Sequence, residues 1–227
     1  MKNLSRYASG LARTVAPGLA LNLAPALALT LALAACGGSG GNDSVKDAKA
    51  ANEAKADSQK TKETPPDSSK ILVSKEGADF LVNAYSGGLT EVQLGSLAQT
   101  HSKSEKVKAF GAMMVRDHSD HGVQLKAIAD SLHVTLPATI SNKQQKMIDD
   151  LQKKSPKDFD KAYISRMVSD HRDDIGEFEK QAKKGLPEIS AFANSSLPML
   201  HKHLDSAERL RKLLGIAQIT APPPPYQ

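Results

Sequence analysis

From about residue 78 to residue 215, apolar positions recur at alternating spacings of three and four. That is the period of helices that each bury one face. A first helix is predicted over Ala78–Gln99. Ser102-Lys103-Ser104-Glu105 reads as a capping box opening a second helix, which runs to about Ser131. A short helix follows Ser141-Asn142-Lys143-Gln144, with Met147, Ile148 and Leu151 on one face. Ser155 caps the next helix, Pro156 takes its favoured first position, and Gly185 ends it. The last helix runs from near Pro187 to near Gly215, and Pro198 inside it predicts a kink or break near Ser196. There is no Asn-Gly or Asp-Gly hairpin signal and little strict alternation, which argues against a sheet. Four long helices with short connections predict an all-α four-helix bundle, over residues 73–216, with a short extra helix in the central connection.

The inward stripes carry groups that do not belong in an apolar core. The second helix presents Val107, Phe110, Met114, His118, His121, Leu125, Ile128 and Leu132. The helix from Pro156 presents Tyr163, Met167, His171, Asp174, Phe178 and Ala182, and the last presents Leu200, His203, Ala207, Leu210 and Leu214. On the first, Glu91 falls on the stripe of Leu81, Ala84, Gly88, Gly95 and Ala98. Each long helix thus carries an ionisable group inward near its middle. His101, His133 and His201 lie at helix ends or off the stripes and read as solvated, with His201 also close enough in sequence to join His203. Asp173 and Glu177 read as a solvated face.

There is also an internal repeat. Met114-Val115-Arg116-Asp117-His118 aligns with Met167-Val168-Ser169-Asp170-His171 at an offset of 53, and Phe110 and Leu125 match Tyr163 and Phe178 at the same offset. A duplicated helix pair related by a pseudo-twofold accounts for it. These two elements, together with Glu91-Val92-Gln93-Leu94-Gly95, Phe159-Asp160-Lys161-Ala162-Tyr163 and Leu197-Pro198-Met199-Leu200-His201-Lys202-His203-Leu204, resemble the family known as domain of unknown function 4142, over about residues 76–214. The resemblance implies a ferritin-like fold and an exported location, and no established activity.

Buried ionised groups cost several kcal/mol unless paired or coordinated. Three readings of the stripe residues follow. In one, Glu91, His118, His171 and His203, with His121 and Asp174, bind one divalent transition metal, while Asp117 and Asp170 orient the imidazoles. In another, the same groups form a hydrogen-bonded network that sets helix register. A catalytic di-iron centre is the third; it needs Glu-x-x-His on two helices and two further Glu, and the chain offers His118-x-x-His121 and His171-x-x-Asp174 instead. The one Gly-x-Ser-x-Gly match, Gly37 to Gly41, lies in a polar segment and not at a strand-to-helix elbow, and there is no catalytic Cys, which argues against a hydrolase. A binding or structural module is therefore expected, the alternative being an envelope redox or metal-handling enzyme of ferritin-like type.

The ends of the chain set its location. Lys2, Arg6 and Arg13 precede an uncharged stretch from Val15 to Ala35, ending in Leu33-Ala34-Ala35-Cys36. A basic segment, an apolar segment and small residues before the chain's single cysteine resemble a bacterial lipoprotein signal over residues 1–36, with Cys36 as the lipidated residue. The competing reading is an uncleaved membrane-spanning anchor. Gly37, rather than Asp, follows the cysteine and by the same resemblance favours the outer membrane, with the head facing the periplasm. Three units of the formal net charge of +5 belong to this segment, so the remainder is near +2, too little for a nucleic-acid surface. Residues 37–72 are charge-balanced and without aromatics as far as Lys70, and read as a disordered polar tether in which a helix over Lys46–Lys60 is only transient. Residues 217–227, with Pro222–Pro225, read as a polyproline tail, either a disordered end or a docking segment.

Overall fold

The structure is a computed structural model that describes residues 43–60 and 73–217. The signal segment with Cys36, the two ends of the expected tether and nearly all of the proline tail lie outside the described residues. Six helices, and no strand among the described residues, make the chain all-α: α1 Ser44–Lys60, α2 Lys75–His101, α3 Glu105–Ser131, α4 Asn142–Gln152, α5 Pro156–Lys184 and α6 Pro187–Leu213. Among the described residues no helix is long and apolar enough to cross a membrane.

Local chemistry accounts for most of the boundaries. Ser74 caps α2 by accepting from Gly77 N at 3.1 Å. Ser141 and Gln144 close a reciprocal capping box on α4, with Ser141 Oγ accepting from Gln144 N at 3.2 Å and Gln144 Oε1 accepting from Ser141 N at 2.7 Å. Ser155 caps α5 with Pro156 in its first turn, as expected. The box expected at Ser102 does not form. Ser102 ends α2, and Ser104 caps α3 by accepting from Val107 N, so Glu105 stands at the first helical position instead of the third. Two serines in a three-residue turn compete for one role, and the first is used by the preceding helix. Pro198 does not break α6 either, which is continuous from Pro187 to Leu213. The hydroxyls of Ser195 and Ser196 both donate to Phe192 O in the turn before the proline.

The expected tether contains a folded element. Asp43 Oδ1 accepts from Val45 N and Lys46 N, which starts α1. The helix then docks on the connection between α3 and α4. Asn52 Nδ2 donates to Thr135 O at 2.9 Å and Asn52 Oδ1 accepts from Thr135 N at 2.7 Å. Ala48 is buried in the cluster that includes Phe80, Leu132 and Val134. Its long-range backbone hydrogen bonds make α1 part of the fold rather than a flexible spacer.

The four long helices pack α2 on α3 and α5 on α6, with α3 also beside α6 and α2 beside α5. α2 and α3 meet backbone to backbone at Gly95 and Gly111, where an added Cβ would stand 2.5 Å and 2.6 Å from the opposite carbonyl oxygen. The apolar interior is in two parts. One part gathers Leu81, Leu125, Phe178, Phe192 and Leu200. The other gathers Leu94, Met114, Phe159, Met167 and Ala207. Along each long helix the residue that falls between the two parts is the ionisable one: Glu91, His118, His171 or His203.

Candidate metal centre

The polar layer is buried. His171 and His203 are 0% exposed, Glu91 3% and His118 4%. One ring nitrogen from each of His118, His171 and His203 lies within 4.8 Å of the other two. The ring centroids stand 5.2 Å (His118–His203), 5.2 Å (His171–His203) and 5.7 Å (His118–His171) apart.

The hydrogen bonds set the tautomers. His171 Nδ1 is 2.9 Å from Met167 O, and a carbonyl only accepts, so Nδ1 carries the proton and Nε2 the lone pair. His203 Nε2 is 2.9 Å from Asp117 Oδ2. Burial pushes the Asp117 carboxyl up, but hydrogen bonds from Arg116 and His203 outweigh it and hold the group below the usual range. Asp117 is therefore an acceptor, and His203 carries its proton on Nε2 and its lone pair on Nδ1. Those two lone pairs face each other across 3.2 Å. His118 Nδ1 is 3.1 Å from Glu91 Oε2, its Nε2 is buried with no partner among the described residues, and Glu91 Oε1 stands 3.4 Å from His171 Nδ1.

Protonation does not resolve this arrangement. Burial first, then the neighbouring imidazoles, holds His118 well below the ordinary histidine range. The same two causes bring His171 down to about 3, against a raising hydrogen bond to Met167 O. His203 is lowered by burial despite the raising contacts with Asp117. Glu91 is raised well above the usual carboxylate range by burial, then by Asp174 and Asp170, with Arg166 opposing. At neutral pH the layer is short of positive charge and its lone pairs converge. That is what an ion-binding pocket looks like before the ion's own charge is counted.

The other expected residues are placed elsewhere. His121 is buried but its Nε2 lies 2.7 Å from Ser196 Oγ, and its ring stacks on Phe192 at 4.6 Å and 15°. It belongs to the apolar side of the layer and is not one of the converging histidines. Asp174 is half-buried, raised to about 8 by burial and by Asp170 and Asp173, and acts on Glu91 through its charge. Asp117 does orient an imidazole, but that of His203 on α6 and not its neighbour His118. Asp170 orients none of them; it accepts from Arg166 Nε at 2.7 Å, and Met167 O serves His171 instead. A residue one position before an inward histidine points about 100° away from it around the helix, so it meets the next helix or its own side. His101 is not simply solvated: its Nε2 lies 2.8 Å from Lys154 O and its ring sits edge-on to Phe159. His133 and His201 are exposed, as are Asp173 and Glu177.

Sequence reasoning missed three participants. Met167 acts through its carbonyl, which no side-chain pattern signals. Ser196 answers His121 from another helix. Arg166, four residues before Asp170, was legible as an i,i+4 ion pair on one helix.

Residues 61–210 match the family described as Domain of unknown function (DUF4142), well over half of the chain, and the protein belongs to that family. No curated protein and no solved structure matches the chain. Helix α1 precedes the matched region.

Proposed function

We propose that this protein is an exported lipoprotein, lipidated at Cys36 and held on the outer membrane, whose ferritin-like four-helix head binds one divalent transition metal ion on His118, His171 and His203. It acts as a metal-binding module of the envelope. The observation that carries the metal reading is the facing pair of lone pairs on His171 Nε2 and His203 Nδ1, 3.2 Å apart, with both outer nitrogens already committed as donors. A hydrogen-bonded network of neutral rings cannot satisfy that contact, whereas an ion accepts both lone pairs. Imidazole donors suit zinc, copper, iron or nickel. In tetrahedral zinc the Zn–N distance is about 2.0–2.1 Å, which sets neighbouring nitrogens about 3.3–3.4 Å apart. One pair already stands at that spacing, and the third ring closes a gap of at most 4.8 Å. The second donor of each imidazole is oriented by Met167 O, Asp117 or Glu91, the outer support typical of metal-bound histidine. With three imidazoles and no pair of Glu-x-x-His motifs, a di-iron centre is not supported.

Metal content of the purified protein tests this directly. One ion per chain is expected, falling to none in His171→Ala. Thermal melting should rise when zinc, copper or iron is added to chelated wild type, because a ligand of the folded state stabilises it by mass action. Superimposable curves with chelator and with each metal would end the metal reading. Location is tested separately: Cys36→Ser should accumulate as unprocessed precursor that takes up no labelled fatty acid, and normal labelling would end the lipoprotein reading.

A further inference from the structure

We propose that the ion on His118, His171 and His203 keeps one coordination position for a small exogenous ligand, which Tyr163 Oη and Glu91 Oε1 receive. This rests on the metal reading above. The chain supplies three converging imidazoles, whereas closed structural sites are completed by a fourth protein ligand. Two buried polar atoms have no hydrogen-bond partner among the described residues: Glu91 Oε1, which stands 3.4 Å from His171 Nδ1, and Tyr163 Oη. Tyr163 is fully buried and stands on the same stripe of α5 as Met167 and His171, two turns before the histidine. Burial first, then the neighbouring Glu91 carboxyl, holds the proton on the Tyr163 phenol. The chain thus offers a buried donor on Tyr163 and a buried acceptor on Glu91, whose other carboxyl oxygen touches His118 at 3.1 Å. Leaving such groups unpaired is costly, so a bound molecule that pairs them is favoured. The ligand class follows. It binds the ion through an oxygen or nitrogen, accepts from the phenol and donates to the carboxyl, and it is small because apolar clusters close both ends of the layer. Water, hydroxide and hydrogen peroxide are of this class, and azide is a usable probe of the metal and phenol contacts.

The test uses the full-length protein loaded with cobalt(II), whose visible spectrum reports coordination. Azide is expected to change that spectrum saturably. Tyr163→Phe is expected to bind cobalt(II) as wild type does but azide about tenfold more weakly, the size of one hydrogen bond to a charged group. Its melting temperature should not fall, because the substitution removes only an unpaired hydroxyl. A cobalt spectrum that azide leaves unchanged would overturn the open position. Equal azide affinity in wild type and Tyr163→Phe would overturn the role of Tyr163. Failure to bind cobalt(II) at all would strike the metal reading itself and this inference with it.

Discussion

Asp117 and Asp170 occupy the same place in two copies of one short motif, yet they serve different partners. Asp117 bridges Arg116 and His203, whereas Asp170 pairs only with Arg166 on its own helix among the contacts seen. The difference yields a prediction. Asp117→Asn keeps an acceptor near His203 Nε2 but removes the charge that fixes its tautomer, so metal affinity should fall roughly 10–100-fold. Asp170→Asn should change it little. Competition titration against a metal-sensitive dye measures both, and equal losses in the two variants would refute the assignment. At this scale the inward stripes located Glu91, His118, His171 and His203 well, because periodicity reports which face of a helix is buried. It could not separate His118 from His121, or His171 from Asp174. Two inward groups one turn apart share a stripe, and only the neighbouring helices decide that His121 meets Ser196 and Phe192.

Elements show where local pattern loses its reach. The long helices were legible because their buried stripes are long and their caps are chemical. α1 was not. It has a weak apolar face, balanced charge and a sequence that buries little on its own. What docks it is a pair of hydrogen bonds from Asn52 to the backbone of Thr135, 83 residues away, together with Lys55 Nζ donating to His133 O and Thr135 Oγ1. Those contacts also brace His133, whose φ of 55° is a left-handed conformation that costs a non-glycine residue of order 1 kcal/mol. Asn52→Ala should therefore lower stability by about 1–3 kcal/mol, since it leaves both Thr135 backbone groups unpaired. Hydrogen exchange at the Thr135 amide should quicken in the same variant. Unchanged protection there would mean that α1 is not what holds the connection. Pro198 teaches the converse: the proline rule identified a real defect, but α6, packed against α5 and α3, stays helical through it.

At the scale of the molecule, the two apolar clusters make the ionisable layer expensive, and the cost depends on pH with opposite signs. His171 at about 3 and His121 at about 4 lie below the ordinary histidine value of about 6.5. Below pH 6.5 the unfolded chain takes up protons that the folded chain refuses, so stability falls as pH drops from about 6.5 toward those values. Asp170 at about 6 and Asp174 at about 8, with Glu91 raised further by burial, lie above their unfolded values. There the folded chain holds protons that the unfolded chain has released, so stability falls as pH rises from about 4 to 8. Below pH 6.5 four lowered histidines oppose four raised carboxyls, Asp173 being the fourth, and above pH 6.5 only the carboxyls still act. The metal-free protein should thus weaken from pH 6.5 toward pH 8, where most small domains hold level. A bound divalent ion reverses the second slope, because its charge favours the ionised carboxyls around it. It also steepens the first, since protons then compete with metal for the imidazoles. Denaturant unfolding at pH 5, 6.5 and 8, with chelator and with zinc, separates the two states. Metal-free stability that climbs from pH 6.5 to 8 would mean that these carboxyls are ionised in the fold, and that the layer already contains the positive charge assigned here to the ion.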